Sequence, residues 1–290
     1  MADPTMQRSR SDVAQDPLEP IILLGRGGSG TRLLSAFAAS NGIFLGNMLN
    51  ATADSVEWVQ DIYDLAIEST TVGVDAGSTR DAYWRERLRG TAGRILSAAG
   101  LPSDVAWGWK LPETMLALPQ VLRAFPRARV VHLVRHPVTS SLRRTHMTSR
   151  LSNPVGQVVL PAAYVACGLN PKNIEFDEPY LHNAVTWTYQ VGNVCRALSK
   201  TLADERHLQL RYEDICANPV ETHCELGKFL GKNVVPMNEI PDIDWARVSN
   251  FDINDERPEQ IWSICGEVAI ALGYAKDGLA VRPINAPHPI

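Results

Sequence analysis

The sequence has no cysteine pair at C-x-x-C spacing and no histidines grouped at the spacing of a zinc site. Those absences exclude the common zinc and dithiol motifs. The five cysteines, Cys167, Cys195, Cys216, Cys224 and Cys265, are scattered and odd in number. That pattern fits reduced thiols serving as small buried hydrophobes. No apolar run approaches the roughly 18 residues that span a bilayer. The polar residues 1–18 lack the apolar stretch of a secretory signal. The expectation is a cytoplasmic chain with residues 1–18 as a flexible tail and no membrane partner. Basic charge is also lacking, since the net charge is −4. Nothing in that balance attracts nucleic acid or anionic lipid, so any anion site must be local.

What is present is a chain of 290 residues, 45% hydrophobic and 21% charged, enough for a sizeable core. Short apolar runs at residues 20–24, 105–110, 129–134 and 207–211 read as buried strands. Helical spacing covers residues 31–41, 54–68, 79–99, 112–125, 180–204, 220–230 and 259–272. Pro137 suits the first turn of a further helix. Strands alternating with helices predict an α/β fold, a single domain over residues 19–290 with a central parallel sheet flanked by helices. Residues 149–179 contain Pro154, Gly168, Pro171 and Pro179 and read as a long irregular insertion, a lid over substrate. The aromatics Trp58, Tyr63, Trp84, Trp107, Trp109, Tyr164 and Phe176 suit either an acceptor pocket or the core.

Gly25-Arg26-Gly27-Gly28-Ser29-Gly30-Thr31-Arg32 follows the first strand and opens a helix. Glycines let backbone N–H groups approach an anion, and the helix start favours negative charge. Three ligands fit the loop. A dinucleotide would want an acid about 20 residues on to hold a ribose, and residues 43–53 contain none. A nucleoside triphosphate would want lysine followed by Ser or Thr after Gly30, where Thr31-Arg32 stands. A phosphosulfate is the third.

A second anion grip lies at His132-Leu133-Val134-Arg135-His136-Pro137, followed by Ser140, Ser141, Arg143 and Arg144. Arg135 ends an apolar strand on the edge where open α/β sheets bind ligands, and arginine suits bidentate phosphate contact. Two grips at separate strand ends point to a ligand with two separated phosphate groups. An adenosine carrying a 5′-phosphosulfate and a 3′-phosphate has that form.

With those segments in view, the chain resembles the sulfotransferase family that uses 3′-phosphoadenosine-5′-phosphosulfate. The loop through Ser29-Gly30-Thr31 is similar to the family's 5′-phosphosulfate loop. Phe125-Pro126-Arg127-Ala128-Arg129 running into Arg135 and Pro137 resembles its 3′-phosphate segment. Leu210-Arg211-Tyr212-Glu213-Asp214 with Asn218-Pro219, the Phe229-Leu230-Gly231 helix end and residues 261–274 resemble later family segments. Two positions depart. Gly28 stands where many members carry a cation before Ser-Gly-Thr, and Arg143 where many carry serine.

The resemblance implies donor contacts from Arg26, Gly27, Gly28, Ser29, Gly30, Thr31 and Arg32 to the phosphosulfate. It implies Arg135, Ser141 and Arg143, with Ser140 in reserve, on the 3′-phosphate, and Tyr212 nearby. Lys110 would lie beside the sulfate. Asp54, then Glu57, would serve as general base, with His136 a weaker candidate; no metal is required. The acceptor would be a small molecule or carbohydrate bearing a hydroxyl or amine, and 3′,5′-diphosphoadenosine the product. A P-loop small-molecule kinase and a non-catalytic nucleotide-binding relative remain the alternatives.

Overall fold

The computed structural model describes residues 19–102, 105–201, 204–231 and 255–276. The expected tail at residues 1–18 lies outside them. Four parallel strands form the sheet: β1 (Ile21–Leu24), β2 (Gly108–Lys110), β3 (Arg129–Val134) and β4 (His207–Arg211), in the order β2-β1-β3-β4.

The helices are α1 (Thr31–Ser40), α2 (Val59–Thr71), α3 (Thr79–Ala99), α4 (Leu118–Ala124) and α5 (Pro137–Ser141). They continue with α6 (Pro154–Ala166), α7 (Pro179–Thr201), α8 (Tyr212–Ala217), α9 (Pro219–Phe229) and α10 (Arg257–Ala271).

β1 is apolar throughout and β3 nearly so, because both faces of the sheet are covered. Ile22, Leu24, Val130 and Val134 point into one layer with Leu65, Leu88, Val121, Trp187 and Cys265, drawn from α2, α3, α4, α7 and α10. Ile21, Leu23, Val131 and Leu133 point into the other with Leu34, Phe37, Ile215 and Leu226, drawn from α1, α8 and α9. This is the α/β sheet flanked by helices that alternating apolar runs predict. Each such large side chain contributes roughly 2 kcal/mol by leaving water.

The tryptophans belong to this packing. Trp58 stacks on Trp109 with ring centroids 4.2 Å apart, and Phe125 meets the edge of both. Trp58, Trp84, Trp107 and Trp109 are buried, so the acceptor-pocket reading of these aromatics is corrected to core.

Residues 149–179 are not irregular. Asn153 accepts hydrogen bonds from the N–H groups of Val155 (3.0 Å) and Gly156 (3.3 Å), and Pro154 occupies the first turn of α6. Proline there starts a helix as readily as it breaks one, which is why the proline and glycine content misled. A 3₁₀ turn at Pro171–Glu175 follows. Two smaller differences concern short elements. Residues 54–55 precede the helix rather than join it, since a 3₁₀ turn at Val56–Trp58 leads into α2. The six-residue α8 is too short to show a period.

Candidate active site

In a parallel sheet every carboxyl end lies on one edge. The segments after β1, β2, β3 and β4 therefore converge, although they are far apart in the chain. A cavity of about 790 Å³ opens there. Gly27, Gly28, Gly30, Thr31 and Arg32 line it from the loop after β1 and the start of α1, Lys110 from the end of β2, Arg135, Ser140 and Arg143 from the segment after β3, and Tyr212 from the start of α8. Arg144 and Arg150 add further cations, and Asp54 is the one carboxylate among the described residues that line it.

The loop is shaped by its glycines. Gly30 has φ +94° and a Cβ there would lie 2.2 Å from the Tyr212 ring, so glycine serves both backbone and packing. Gly28 has φ +90° and no atom within 4 Å of the Cβ position, leaving open space above the loop. The α1 start has no side-chain cap and no acid in its first turn, so its N–H groups and dipole are available to an anion.

Arg135 reaches across to the Gly28 carbonyl at 3.2 Å, and its guanidinium lies over the Tyr212 ring, 4.3 Å from the centroid. Burial, then the nearby Arg143 guanidinium, lowers its pKa from the ordinary arginine value. Two like charges held close favour an anion between them. Ser140 Oγ is buried at the cavity wall without a hydrogen-bond partner among the described residues, a donor left for a ligand oxygen.

The turn is held from behind. Glu213 accepts the His136 N–H at 2.9 Å, Tyr274 donates to the other Glu213 oxygen at 2.9 Å, and Trp187 donates to the Arg135 carbonyl at 3.1 Å.

Lys110 and Asp54 meet across 56 residues of chain. Ser55 makes this possible. Its N–H donates to the Lys110 carbonyl at 2.9 Å and its hydroxyl accepts the Lys110 N–H at 3.0 Å. Asn50 Oδ1 gathers the N–H groups of Thr52 and Asp54, both at 2.9 Å, and Ala53 takes φ +58° in the resulting tight turn. Lys110 Nζ donates to the Thr52 carbonyl at 2.7 Å and pairs with Asp54, which also accepts from Thr52 and Asn50. Burial alone would raise the Asp54 pKa, but the hydrogen bonds from Lys110 and Thr52 and the ammonium charge outweigh it and hold the carboxyl below its ordinary value. Burial lowers the Lys110 pKa, and Asp54 offsets only part of that. Behind them Glu113 is fully buried, and burial pushes its carboxyl up to about 7.

Several expected contacts are not assembled on the cavity wall. Arg26 is 1% exposed and points into the protein, donating to Asn183 (2.7 Å), Ser149 (2.8 Å) and Thr186 (3.1 Å). Its side chain is long enough to reach the polar face of α7, and no carboxylate among the described residues pairs with it there. It is a buried side chain behind the loop and is not among the residues lining the cavity. Ser29 and Ser141 are buried and outside the lining set. Glu57 accepts the Asn47 N–H at 2.8 Å and braces that loop, away from the cavity. His136 stacks on Trp262 and its Nε2 meets the Ala275 carbonyl at 2.9 Å. Sequence reasoning missed Asn50, Thr52, His146 and Arg150. Asn50 and Thr52 carried a turn pattern; a lone histidine carried no sign.

Residues 20–236 match the model of the sulfotransferase family. The fold is similar to that of a sulfotransferase from Mycobacterium avium, with TM-score 0.52 and 14% identity over 90% of this chain and 78% of that one. It is also similar to a sulfotransferase from Alicyclobacillus acidocaldarius, with TM-score 0.50 and 13% identity over 87% of this chain and 93% of that one. No curated protein matches the sequence. At such identities the structural likeness bears on fold alone. The family match covers the glycine loop, Lys110, Arg135 and Tyr212, and by it the chain belongs to the sulfotransferase family.

Proposed function

We propose that the chain transfers a sulfuryl group from 3′-phosphoadenosine-5′-phosphosulfate to a hydroxyl or amine of a small-molecule or carbohydrate acceptor. The observation that carries this reading is the joining of two anion grips in one cavity, the glycine loop after β1 and the Arg135–Arg143 pair after β3. The residues fit the donor. The open space over Gly28, the uncapped α1 start and Arg32 suit a 5′-phosphosulfate. The unpartnered Ser140 hydroxyl, Arg135 and Arg143 suit a 3′-phosphate.

Transfer forms a bond from the acceptor oxygen or nitrogen to sulfur. It breaks the bond from sulfur to the oxygen shared with the 5′-phosphate, leaving 3′,5′-diphosphoadenosine. Its demands are alignment and charge stabilisation. Lys110, beside Asp54, supplies positive charge at the reacting end. Asp54 remains ionised near neutral pH and takes the acceptor's proton. A magnesium-dependent kinase fits less well, because the one lining carboxylate among the described residues is already engaged by Lys110.

Calorimetric titration with 3′,5′-diphosphoadenosine tests the donor. Micromolar binding without magnesium is expected. Absence of binding, or tighter binding of magnesium-ATP, would sink the reading. Binding of donor with no turnover on any acceptor would favour a non-catalytic relative.

A further inference from the structure

His146 sits between α5 and the 3₁₀ turn Met147–Ser149 and lines the cavity. Its imidazole rests directly on the phosphate loop. A Cβ on Gly27 would fall 1.9 Å from both Cδ2 and Nε2 of the ring. Gly27 is thus a glycine because a side chain needs its space. The ring is anchored at the other end. The Thr148 N–H donates to Nδ1 at 3.4 Å, and Thr148 Oγ1 lies 3.0 Å from the same atom. Gln190 Nε2 donates to that Oγ1 at 2.8 Å, which leaves the hydroxyl hydrogen for Nδ1.

Nδ1 is therefore an acceptor, and the ring proton belongs on Nε2. Nε2 makes no hydrogen bond among the described residues, and it is not one of the buried unpartnered atoms. The ring cannot readily become a cation, because burial, then the Arg26 charge behind the loop, lowers its pKa to about 3. A neutral N–H donor is held against the loop at Gly27.

We propose that His146 is a catalytic residue whose Nε2–H donates to the oxygens of the transferring sulfuryl group. The proposal rests on the sulfuryl-transfer reading above. The imidazole keeps its single proton throughout, since Nδ1 is already engaged and Nε2 has no lone pair to accept with. It therefore stabilises charge developing on the sulfuryl oxygens and leaves the acceptor proton to Asp54. A neutral imidazole N–H can serve as an electrophile when its surroundings lower the ring's pKa enough to keep it uncharged.

The test uses the whole chain and water as acceptor, so no acceptor need be identified. Release of labelled sulfate from 3′-phosphoadenosine-5′-phosphosulfate is followed together with 3′,5′-diphosphoadenosine affinity. His146→Ala should slow release by about 100-fold and leave diphosphoadenosine affinity within about twofold, because the product lacks the sulfuryl group. His146→Gln, which offers an amide N–H, should recover at least about tenfold of the loss.

Wild-type rates in His146→Ala would overturn the proposal. So would a fall in diphosphoadenosine affinity as large as the fall in rate, which would make His146 a prop for the loop. Nitrogen NMR of the unmodified protein gives a check independent of any variant. An Nε2–H tautomer is expected from pH 5 to 8; an Nδ1–H tautomer or a cation overturns the proposal. Failure of the unmodified protein to bind diphosphoadenosine would instead remove the donor reading on which the proposal stands.

Discussion

Arginines of the helical layer and arginines of the cavity carry the same group and meet different partners. In the layer, Arg87 of α3 reaches Asp61 (2.7 Å) and Asp64 (3.0 Å) of α2, and Arg123 of α4 reaches Asp81 of α3 (2.6 Å). On the cavity, Arg32, Arg143 and Arg144 form no ion pair among the described residues. The first set joins helices. The second concentrates positive charge in a protein whose net charge is −4. An acidic chain can hold a strong local anion site by leaving a few arginines without carboxylates. Lys110 stands between the two cases, buried like a core group and paired with a single acid that itself faces the cavity.

Breaking that single pair gives the largest expected effect. Asp54→Ala should lower turnover by about 100-fold or more while sparing diphosphoadenosine affinity, as measured by steady-state kinetics beside calorimetry. Full activity would remove Asp54 as the proton acceptor.

Glu113 sharpens the comparison from the acidic side, as a buried carboxyl with one oxygen lacking a hydrogen-bond partner among the described residues. Its folded pKa, about 7, exceeds the ordinary value of 4.5. The folded chain therefore holds this proton where the unfolded chain has lost it. Stability from this group is full below about pH 4.5 and declines as pH rises to about 7, by on the order of 3 kcal/mol in all. Glu113→Gln should abolish that decline, so urea denaturation should favour the variant progressively from pH 5 to pH 8. A constant difference across that range would contradict the raised pKa.

Arg143→Ala attacks the cavity set. Diphosphoadenosine affinity should fall about 30-fold, roughly 2 kcal/mol, with little change in thermal stability. Arg87→Ala attacks the layer, and the pattern should reverse. Stability should drop by about 1 kcal/mol with diphosphoadenosine affinity unchanged by titration. Equal effects of the two substitutions on binding would erase the distinction between the sets.

Much of this architecture was legible before any coordinates. The four apolar runs became the four strands, and residues 79–99 became α3 without adjustment. These are local outcomes, since a buried parallel strand is apolar throughout and a helix repeats its apolar positions. Residues 149–179 were misread because Pro154, Gly168 and Pro171 look like breakers until Asn153 is seen capping the helix that Pro154 begins. The candidate site was half legible. Arg135 and the loop glycines lie where strand ends must lie. Arg26, one residue into the same loop, turns inward, because Ser149, Asn183 and Thr186 wait there from segments more than a hundred residues away.

The sequence by itself determined that strands would end in a glycine loop and in an arginine, because apolar periodicity and backbone sterics act over a few residues. The tertiary structure alone decided that Asp54 would meet Lys110, that Arg26 would face the core, and that His146 would lie on Gly27. Side-chain direction depends on which distant groups can hydrogen-bond or fill space at that point, and only the assembled sheet edge brings those groups together.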